Sequence, residues 1–181
     1  MRRLVSLLLA ASCAVIASAP IASAQSAAAT YASTTSSLHF SLPEGWELAE
    51  TAPVSLPVLE VGKAVLPGQG RAASVVVTQL NADITGMPME DYKSLLDQVT
   101  ASQNQLVSSS VQRVAAPGTA SGELVGVLQV VSVQRDGDVY EHVQFVVPMA
   151  DREYTIGVTG GPGTSEANAY VAGYIAATLV P

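Results

Sequence analysis

The sequence has few of the residues that form covalent cross-links or metal sites. Its 181 residues include one cysteine, Cys13, and two histidines, His39 and His142. A lone cysteine cannot form an intramolecular disulfide, and zinc sites need three or four clustered ligands. Serines are plentiful, but no Gly-x-Ser-x-Gly motif marks one of them as a nucleophile. We therefore predict a protein that is not an enzyme and that has no catalytic residues, no metal site and no cofactor.

Positive charge is also scarce. The chain has 8 lysines and arginines against 15 aspartates and glutamates, which gives a formal net charge of −7. Binding of nucleic acid depends on lysine and arginine side chains that neutralise phosphates, and anionic membranes attract basic segments. We therefore predict that the protein does not bind nucleic acid and does not dock on anionic membranes through its charge.

The N-terminus has the pattern of a secretory signal peptide. Arg2 and Arg3 form a basic region, and the apolar run Leu4–Ile16 is too short to span a bilayer. Ala22–Ala24 then provides small residues at a cleavage site. These features predict a signal peptide over residues 1–24 and an exported protein, periplasmic or secreted, that is not transmembrane.

The stretch that ends at Cys13 allows a different form of export. Leu9–Cys13 is close to a lipobox, the signal for a lipid-anchored cysteine. The residues after Cys13 remain apolar, however, and the cleavage site at Ala24 follows them. We expect soluble export, with a lipid anchor at Cys13 in the cell envelope as the alternative.

The segment after the signal peptide divides into a leader and a domain. Residues 25–37 are small and polar, which predicts a flexible leader, and residues 38–181 form a single predicted domain. Leu38–Leu42 alternates apolar and polar residues like a half-buried strand, and Pro43–Gly45 follows with turn residues. Trp46, the only tryptophan, is expected to be a packing residue at one end of the core.

Helical and strand patterns both occur in this domain. Ala72–Leu80 is rich in β-branched residues and is predicted to be a strand. A closing helix is predicted after Gly161–Gly163, with Thr164 or Ser165 as its N-cap. Another helix is predicted over Pro88–Leu106, with one apolar face formed by Tyr92, Leu95, Leu96, Val99 and Leu106.

Two turns fix the pairing of three strands in the C-terminal half. Asp136-Gly137 predicts a two-residue hairpin turn, which pairs Val130 with Val143 and Leu128 with Phe145. A second turn near Asp151-Arg152 pairs Val147 with Ile156 and Phe145 with Val158. Residues opposite each other share a sheet face, so both turns predict one apolar face. Its members are Leu128, Val130, Val143, Phe145, Val147, Ile156 and Val158.

The opposite face of the same strands is the candidate binding site. It is too apolar for a solvated face and too polar for a deep core. One interpretation is a second core layer under the N-terminal segment, and the other is a groove for an acyl chain or for the apolar surface of a partner. The candidate ligand-binding residues are Val125, Val127, Gln129, Val131, Val133, Tyr140, His142, Gln144 and Val146.

These elements together predict an α+β domain, an antiparallel β-sheet packed with helices. The stretches "FSLPEGW", "MEDYKSLLDQV" and "REYTIGVTGG", in this order before a closing helix, resemble the PsbP-like α/β/α sandwich superfamily. Within that superfamily the chain is similar to bacterial exported proteins of the DcrB and LpqN kinds over residues 38–181. The resemblance implies a non-enzymatic binding or assembly role and provides no catalytic motif.

The function expected from these patterns is that of an exported, non-enzymatic binding or accessory protein of the cell envelope. Its partner is expected to be an envelope protein or an amphiphile such as a lipid. Two alternatives stay open. One is a serine/histidine-type hydrolase, which requires His142 within hydrogen-bond reach of a serine and an acid. The other is a structural subunit of an envelope assembly.

Overall fold

A computed structural model describes residues 28–51, 53–56, 58–79, 87–101, 105–115, 125–149 and 152–180. The predicted signal peptide, including Cys13, lies outside these residues. The elements in chain order are β1 (Thr30–Ala32), β2 (His39–Ser41), β3 (Glu47–Ala49), β4 (Val58–Leu66), β5 (Arg71–Gln79), α1 (Met89–Ala101), β6 (Gln105–Ala115), β7 (Val125–Arg135), β8 (Asp138–Met149), β9 (Arg152–Gly160) and α2 (Ser165–Thr178).

Seven of the strands form one sheet in the order β3-β4-β5-β9-β8-β7-β6, and all of its neighbouring strands are antiparallel. The two helices pack on opposite faces of this sheet. Buried residues of α2 belong to the main core, whereas Tyr92 of α1 belongs to a smaller cluster on the other face. The predicted α+β class, an α/β/α sandwich built on an antiparallel sheet, is therefore confirmed.

The main core lies between the sheet and α2, and it contains the apolar face predicted from the two turns. Ile156 and Val158 of β9 are completely buried, as is Val143 of β8. Leu128 and Val130 of β7 are partly buried against the same cluster. Because strand residues alternate between faces, β-branched residues at every second position fill this layer. Trp46 is part of this core with 5% of its surface exposed, as expected for a packing residue.

The first predicted register is confirmed and the second is wrong by two residues. Val130 pairs with Val143 across the Asp136-Gly137 turn. On the next strand Phe145 pairs with Ile156 rather than with Val158, because the ladder closes at Met149 and Arg152 and the chain reverses before Arg152. Sheet faces repeat every two residues, so a shift of two leaves the predicted face unchanged.

The flexible leader predicted for residues 25–37 contains a strand instead, so that prediction is wrong for Thr30–Ala32. β1 pairs with β2 in a two-stranded sheet that packs over β4. The Tyr31 ring stacks on Phe40 with 5.0 Å between the ring centroids. Its hydroxyl also donates a hydrogen bond to Glu60. These contacts of one aromatic residue order a segment whose small polar composition indicates flexibility.

The helix predicted over Pro88–Leu106 is shorter than expected. It ends at Ala101, and Leu106 pairs with Val133 in the sheet. Leu95 is 46% exposed, so it does not belong to the buried face, which is formed by Tyr92 and partly by Leu96. Leu106 belongs to the edge strand β6, so strand pairing rather than the helical period determines its position.

The first and last described segments of the domain are joined. His39 of β2 forms an isolated antiparallel bridge with Val180, with N–O distances of 3.0 and 2.8 Å. The Thr178 hydroxyl accepts a hydrogen bond from the backbone N–H of Ser41 at 3.0 Å. The end of α2 is thereby fastened to the N-terminal hairpin.

The N-terminus of α2 is capped by a residue from a distant strand. Thr164 is the N-cap residue but makes no side-chain capping bond. The carboxylate of Glu141 in β8 instead accepts hydrogen bonds from the backbone N–H groups of Gly163 at 2.8 Å and Ser165 at 2.6 Å, and from the Ser165 hydroxyl at 2.6 Å. The predicted N-cap position is therefore confirmed at Thr164, but the hydrogen bonds that a side chain accepts at this end of the helix go to Glu141 rather than to Thr164.

Replacing Glu141 by glutamine is expected to lower the free energy of unfolding by about 1 kcal/mol at neutral pH, the usual loss for a removed helix cap. Hydrogen bonds, above all from the Ser165 hydroxyl and the Gly163 N–H, hold the pKa of Glu141 below its usual range. The stabilisation is complete above the ordinary carboxyl pKa of about 4.3 and is lost as the pH falls through the lower folded value. Urea denaturation at neutral and acidic pH measures the difference.

The control is Glu44→Gln, which removes the same charge from an exposed turn. It is expected to leave the stability within about 0.5 kcal/mol of the unaltered protein. Equal stability of the two variants across the pH range would contradict the capping role of Glu141.

Candidate functional site

The predicted site residues lie on one face of the sheet, which we call the α1 face. Opposite pairs on β7 and β8 define it: Val127 with Val146, Gln129 with Gln144, Val131 with His142, and Val133 with Tyr140. Val125 is the first residue of β7 and pairs with Ala115 of β6.

Four valines of this face are already covered. Val127 and Val146 pack with Tyr92 of α1 and are 5% and 1% exposed. Val131 and Val133 are buried as well. For these positions the structure matches the interpretation as a second core layer. For Val127 and Val146 the cover comes from α1. The predicted cover by the N-terminal segment is wrong, because the N-terminal hairpin packs on the other face.

The remaining part of the α1 face is polar and more open, and it is organised in two rows that we call the polar rows. Each row crosses the strands β5, β9, β8 and β7 at right angles, and the two rows are neighbours on the sheet. The first contains Ser74, Gly157, Gln144 and Gln129, and the second contains Ala72, Thr159, His142 and Val131. Ala72 is exposed, and the side chains of Ser74, Thr159, His142 and Gln144 are half-buried.

His142 is held tightly within the second row. Its Nδ1 lies 2.7 Å from the hydroxyl of Thr159, and its ring lies over Gly157, where a Cβ atom would be 3.0 Å from the imidazole Cε1. Glycine at position 157 therefore leaves the space that the ring needs. Burial lowers the pKa of His142 below its usual value, and a hydrogen bond with Gln144 offsets this only in part. The imidazole is thus neutral at neutral pH.

Gln129 ends the first row in the interior. It is 1% exposed, and its Nε2 has no hydrogen-bond partner among the described residues. A buried amide donor without a partner costs about 1–3 kcal/mol, so it is rarely retained without a reason. The polar rows therefore include an exposed position at Ala72 and a buried, unsatisfied donor at Gln129.

Among the described residues, the hydrogen-bond partners of His142 differ from those of a serine–histidine mechanism. A serine–histidine mechanism needs a serine and an orienting acid on the imidazole. Within the described part of the chain, His142 is hydrogen-bonded to Thr159 and Gln144, which are neither. The same residues contain no group of three histidine, cysteine, aspartate or glutamate side chains placed to hold a metal ion. They also contain no helix with the length and apolar character needed to cross a membrane.

A second polar cluster was not expected from the sequence. The carboxylate of Glu60 in β4 accepts hydrogen bonds from the hydroxyls of Tyr31 and Ser36, both at 2.7 Å. The only local signal is a glutamate within the otherwise mostly apolar strand Val58–Leu66. Its partners are 29 and 24 residues away, so the sequence pattern could not identify them.

Solved structures share this architecture at low sequence identity. The solution structure of cyanobacterial PsbP (CyanoP) from Synechocystis sp. PCC 6803 is 12% identical, with a TM-score of 0.58 over 92% of this chain and 98% of that chain. The fold is PsbP-like. The crystal structure of LpqN, described as involved in cell envelope biogenesis of Mycobacterium tuberculosis, is also 12% identical, with a TM-score of 0.55 over 86% of this chain and 87% of that chain.

A larger protein contains a similar domain. A crystal structure from Bacteroides thetaiotaomicron is 14% identical to this PsbP-like chain, with a TM-score of 0.56. The match covers 83% of this chain but only 47% of that chain, so this chain spans about half of that protein. No protein-family model matches the sequence, and no curated protein matches it. The predicted PsbP-like and LpqN-like resemblance is confirmed at the level of the fold.

Proposed function

We propose that this PsbP-like protein is an exported accessory protein of the cell envelope that binds a partner protein through its polar rows and catalyses no reaction itself. The signal-peptide pattern of residues 1–24 supports export. The likeness to LpqN, which is described as involved in cell envelope biogenesis, supports a role in that compartment.

The observation that carries the proposal is the polarity of the open part of the α1 face. The valines Val131 and Val146 of this face are 2% and 1% exposed, so they offer no surface to an acyl chain. The half-buried side chains that remain, Ser74, His142 and Gln144, provide hydrogen-bond donors and acceptors. Protein interfaces use about one hydrogen bond per 100–200 Å², whereas lipid sites are mostly apolar. A protein therefore fits this surface better than an amphiphile.

Photo-crosslinking of the full chain in its own host tests this proposal. Benzoylphenylalanine replaces Tyr140 at the margin of the polar rows, or Tyr170, which is 66% exposed on α2 at the opposite face. We expect a protein adduct from position 140 and none from position 170. Ala72→Arg is expected to abolish the adduct because it places a bulky charge on the exposed end of the second row. Mass spectrometry identifies the adduct and reports whether the chain begins at Gln25.

Ser110→Arg is the matched control, because Ser110 is exposed on the opposite side of β6. It should leave the adduct intact. Equal adducts from positions 140 and 170, or an adduct that survives Ala72→Arg, would contradict the role of the polar rows. An adduct with the mass of a lipid would replace the partner protein with an amphiphile.

A further inference from the structure

A cavity of about 350 Å³ lies beside the N-terminal hairpin, next to Glu60 and away from the polar rows. Five residues with hydroxyl groups, four apolar residues and one carboxylate line it. The hydroxyl groups include those of Tyr31 and Thr51, and the apolar residues include Val54 and Leu59. The cavity thus combines a polar wall that carries one negative charge with an apolar wall.

The Glu60 carboxylate is fixed in position and ionised. Burial raises its pKa, but hydrogen bonds from Ser33, Ser36 and Tyr31 outweigh burial, and the pKa lies below its usual value. A carboxylate has about four lone-pair sites for hydrogen bonds. Three hydroxyl donors therefore leave capacity for a further donor.

No cation lines this cavity among the described residues. Arg152 lines a separate cavity of about 230 Å³ that shares Glu60 with the first, and its charge contributes to the lowered pKa of Glu60. Glu60 is the single charged residue among those that line the larger cavity, so a hydrogen-bond donor that enters this cavity meets one negative charge. A positively charged donor is preferred there, because hydrogen bonds between ionised groups are about twice as strong as neutral ones.

The apolar wall continues outward as an exposed patch. Val54 and Leu59, which line the cavity, are 43% and 40% exposed, and Leu56 between them in sequence is 74% exposed. A cluster of exposed apolar side chains at the rim of a polar cavity is typical of a binding site for a ligand with two chemically different ends.

We propose that this cavity binds an ammonium group that carries an apolar substituent. The ammonium group donates to Glu60, and the substituent contacts Val54 and Leu59. The net charge of −7 favours the approach of such a cation. Because Glu60 and the polar rows belong to different faces of the sheet, this site does not depend on the proposed protein partner.

Titration of the purified chain with hexylammonium, followed by amide NMR shifts, tests this site. Saturable shifts are expected at Thr35, Thr51 and Val54. Hexanol and hexanoate, which have the same chain without the positive charge, are expected to bind at least about tenfold more weakly, the loss that follows from removing a charge-assisted hydrogen bond.

Variants at Glu60 and Val54 separate the contribution of the carboxylate from that of the apolar wall. Glu60→Gln, which keeps the shape of the side chain, should weaken hexylammonium binding about tenfold, whereas Glu50→Gln on the nearby exposed loop should have no effect. Val54→Ser leaves the carboxylate and its hydroxyl partners in place. It should weaken hexylammonium and leave the affinity for methylammonium unchanged.

The inference is overturned if hexanol binds as tightly as hexylammonium, or if Glu60→Gln retains full affinity. It is also overturned if none of the three ligands shifts the amides around the cavity. Because the readout is local to the hairpin, failure here leaves the crosslinking result at the polar rows intact.

Discussion

Replacing Asn168 by leucine is expected to lower the free energy of unfolding by about 3 kcal/mol, because it removes three hydrogen bonds of a buried side chain without changing the size of that side chain much. Asn168 of α2 is completely buried. Its Oδ1 accepts from the Nε of Arg71, and its Nδ2 donates to the backbone oxygen of Glu141 and to the hydroxyl of Thr164, all at 3.0 Å. Leucine removes the partner of the Arg71 Nε and of the Glu141 backbone oxygen, whereas the Thr164 hydroxyl keeps its hydrogen bond to the backbone oxygen of Gly161.

The same substitution is expected to change the fluorescence of the only tryptophan. The Arg71 guanidinium lies 5.5 Å from the ring centroid of Trp46, and the bond to Asn168 holds it there. Loss of that bond frees Arg71 and alters the surroundings of the indole. Urea denaturation followed by circular dichroism measures stability, and the native emission spectrum of Trp46 reports the displacement.

Ala167→Leu is the control, since Ala167 is exposed on the same helix. Its effect is expected to remain within about 0.5 kcal/mol. If Asn168→Leu unfolds at the same urea concentration as the control and leaves the Trp46 spectrum unchanged, the hydrogen bonds of Asn168 do not stabilise the end of the core as argued.

The second large effect is expected from Gly126→Ala in β7, which should lower the free energy of unfolding by about 2 kcal/mol. A Cβ atom at this position would lie 2.5 and 2.7 Å from two ring carbons of Phe145 and 2.9 Å from the backbone oxygen of Val146. Phe145 is 3% exposed within the main core, so its ring cannot move without displacing neighbours. Thermal and urea denaturation measure the loss.

The matched substitution, Gly173→Ala, is expected to raise the free energy of unfolding. Gly173 lies inside α2, and a Cβ atom there meets nothing within 4 Å. Alanine in a helix interior is favoured over glycine by about 0.5–1 kcal/mol. If both substitutions changed stability by the same amount and sign, steric conflict with Phe145 would not be the cause.

Turn chemistry determined how much of the sheet could be predicted. Asp136 and Gly137 adopt φ values of 53° and 91°, the left-handed conformations that an Asp-Gly hairpin turn requires. That signal fixed the pairing of Val130 with Val143. The turn before Arg152 has no glycine to mark its position, and the register predicted there was wrong by two residues.

Contacts between distant segments limited the prediction of the candidate sites. A period of two residues was sufficient to place Val131 and His142 on one face, but it contained no information on which part α1 would cover. The order of the N-terminal hairpin depends on Tyr31 and Glu60, which are 29 residues apart. Local composition alone therefore assigned Tyr31 to a flexible leader, because its hydrogen-bond partner Glu60 lies on another strand.

The bridge between His39 and Val180 has a consequence for the order of events during biosynthesis. The hairpin strand that contains His39 is translated early, but it cannot be fastened until Val180 has left the ribosome. Such a contact between distant residues also carries a high entropic cost of closure, which slows folding. Before that moment the N-terminal hairpin is held only by its contacts with earlier segments, such as the hydrogen bond from Tyr31 to Glu60.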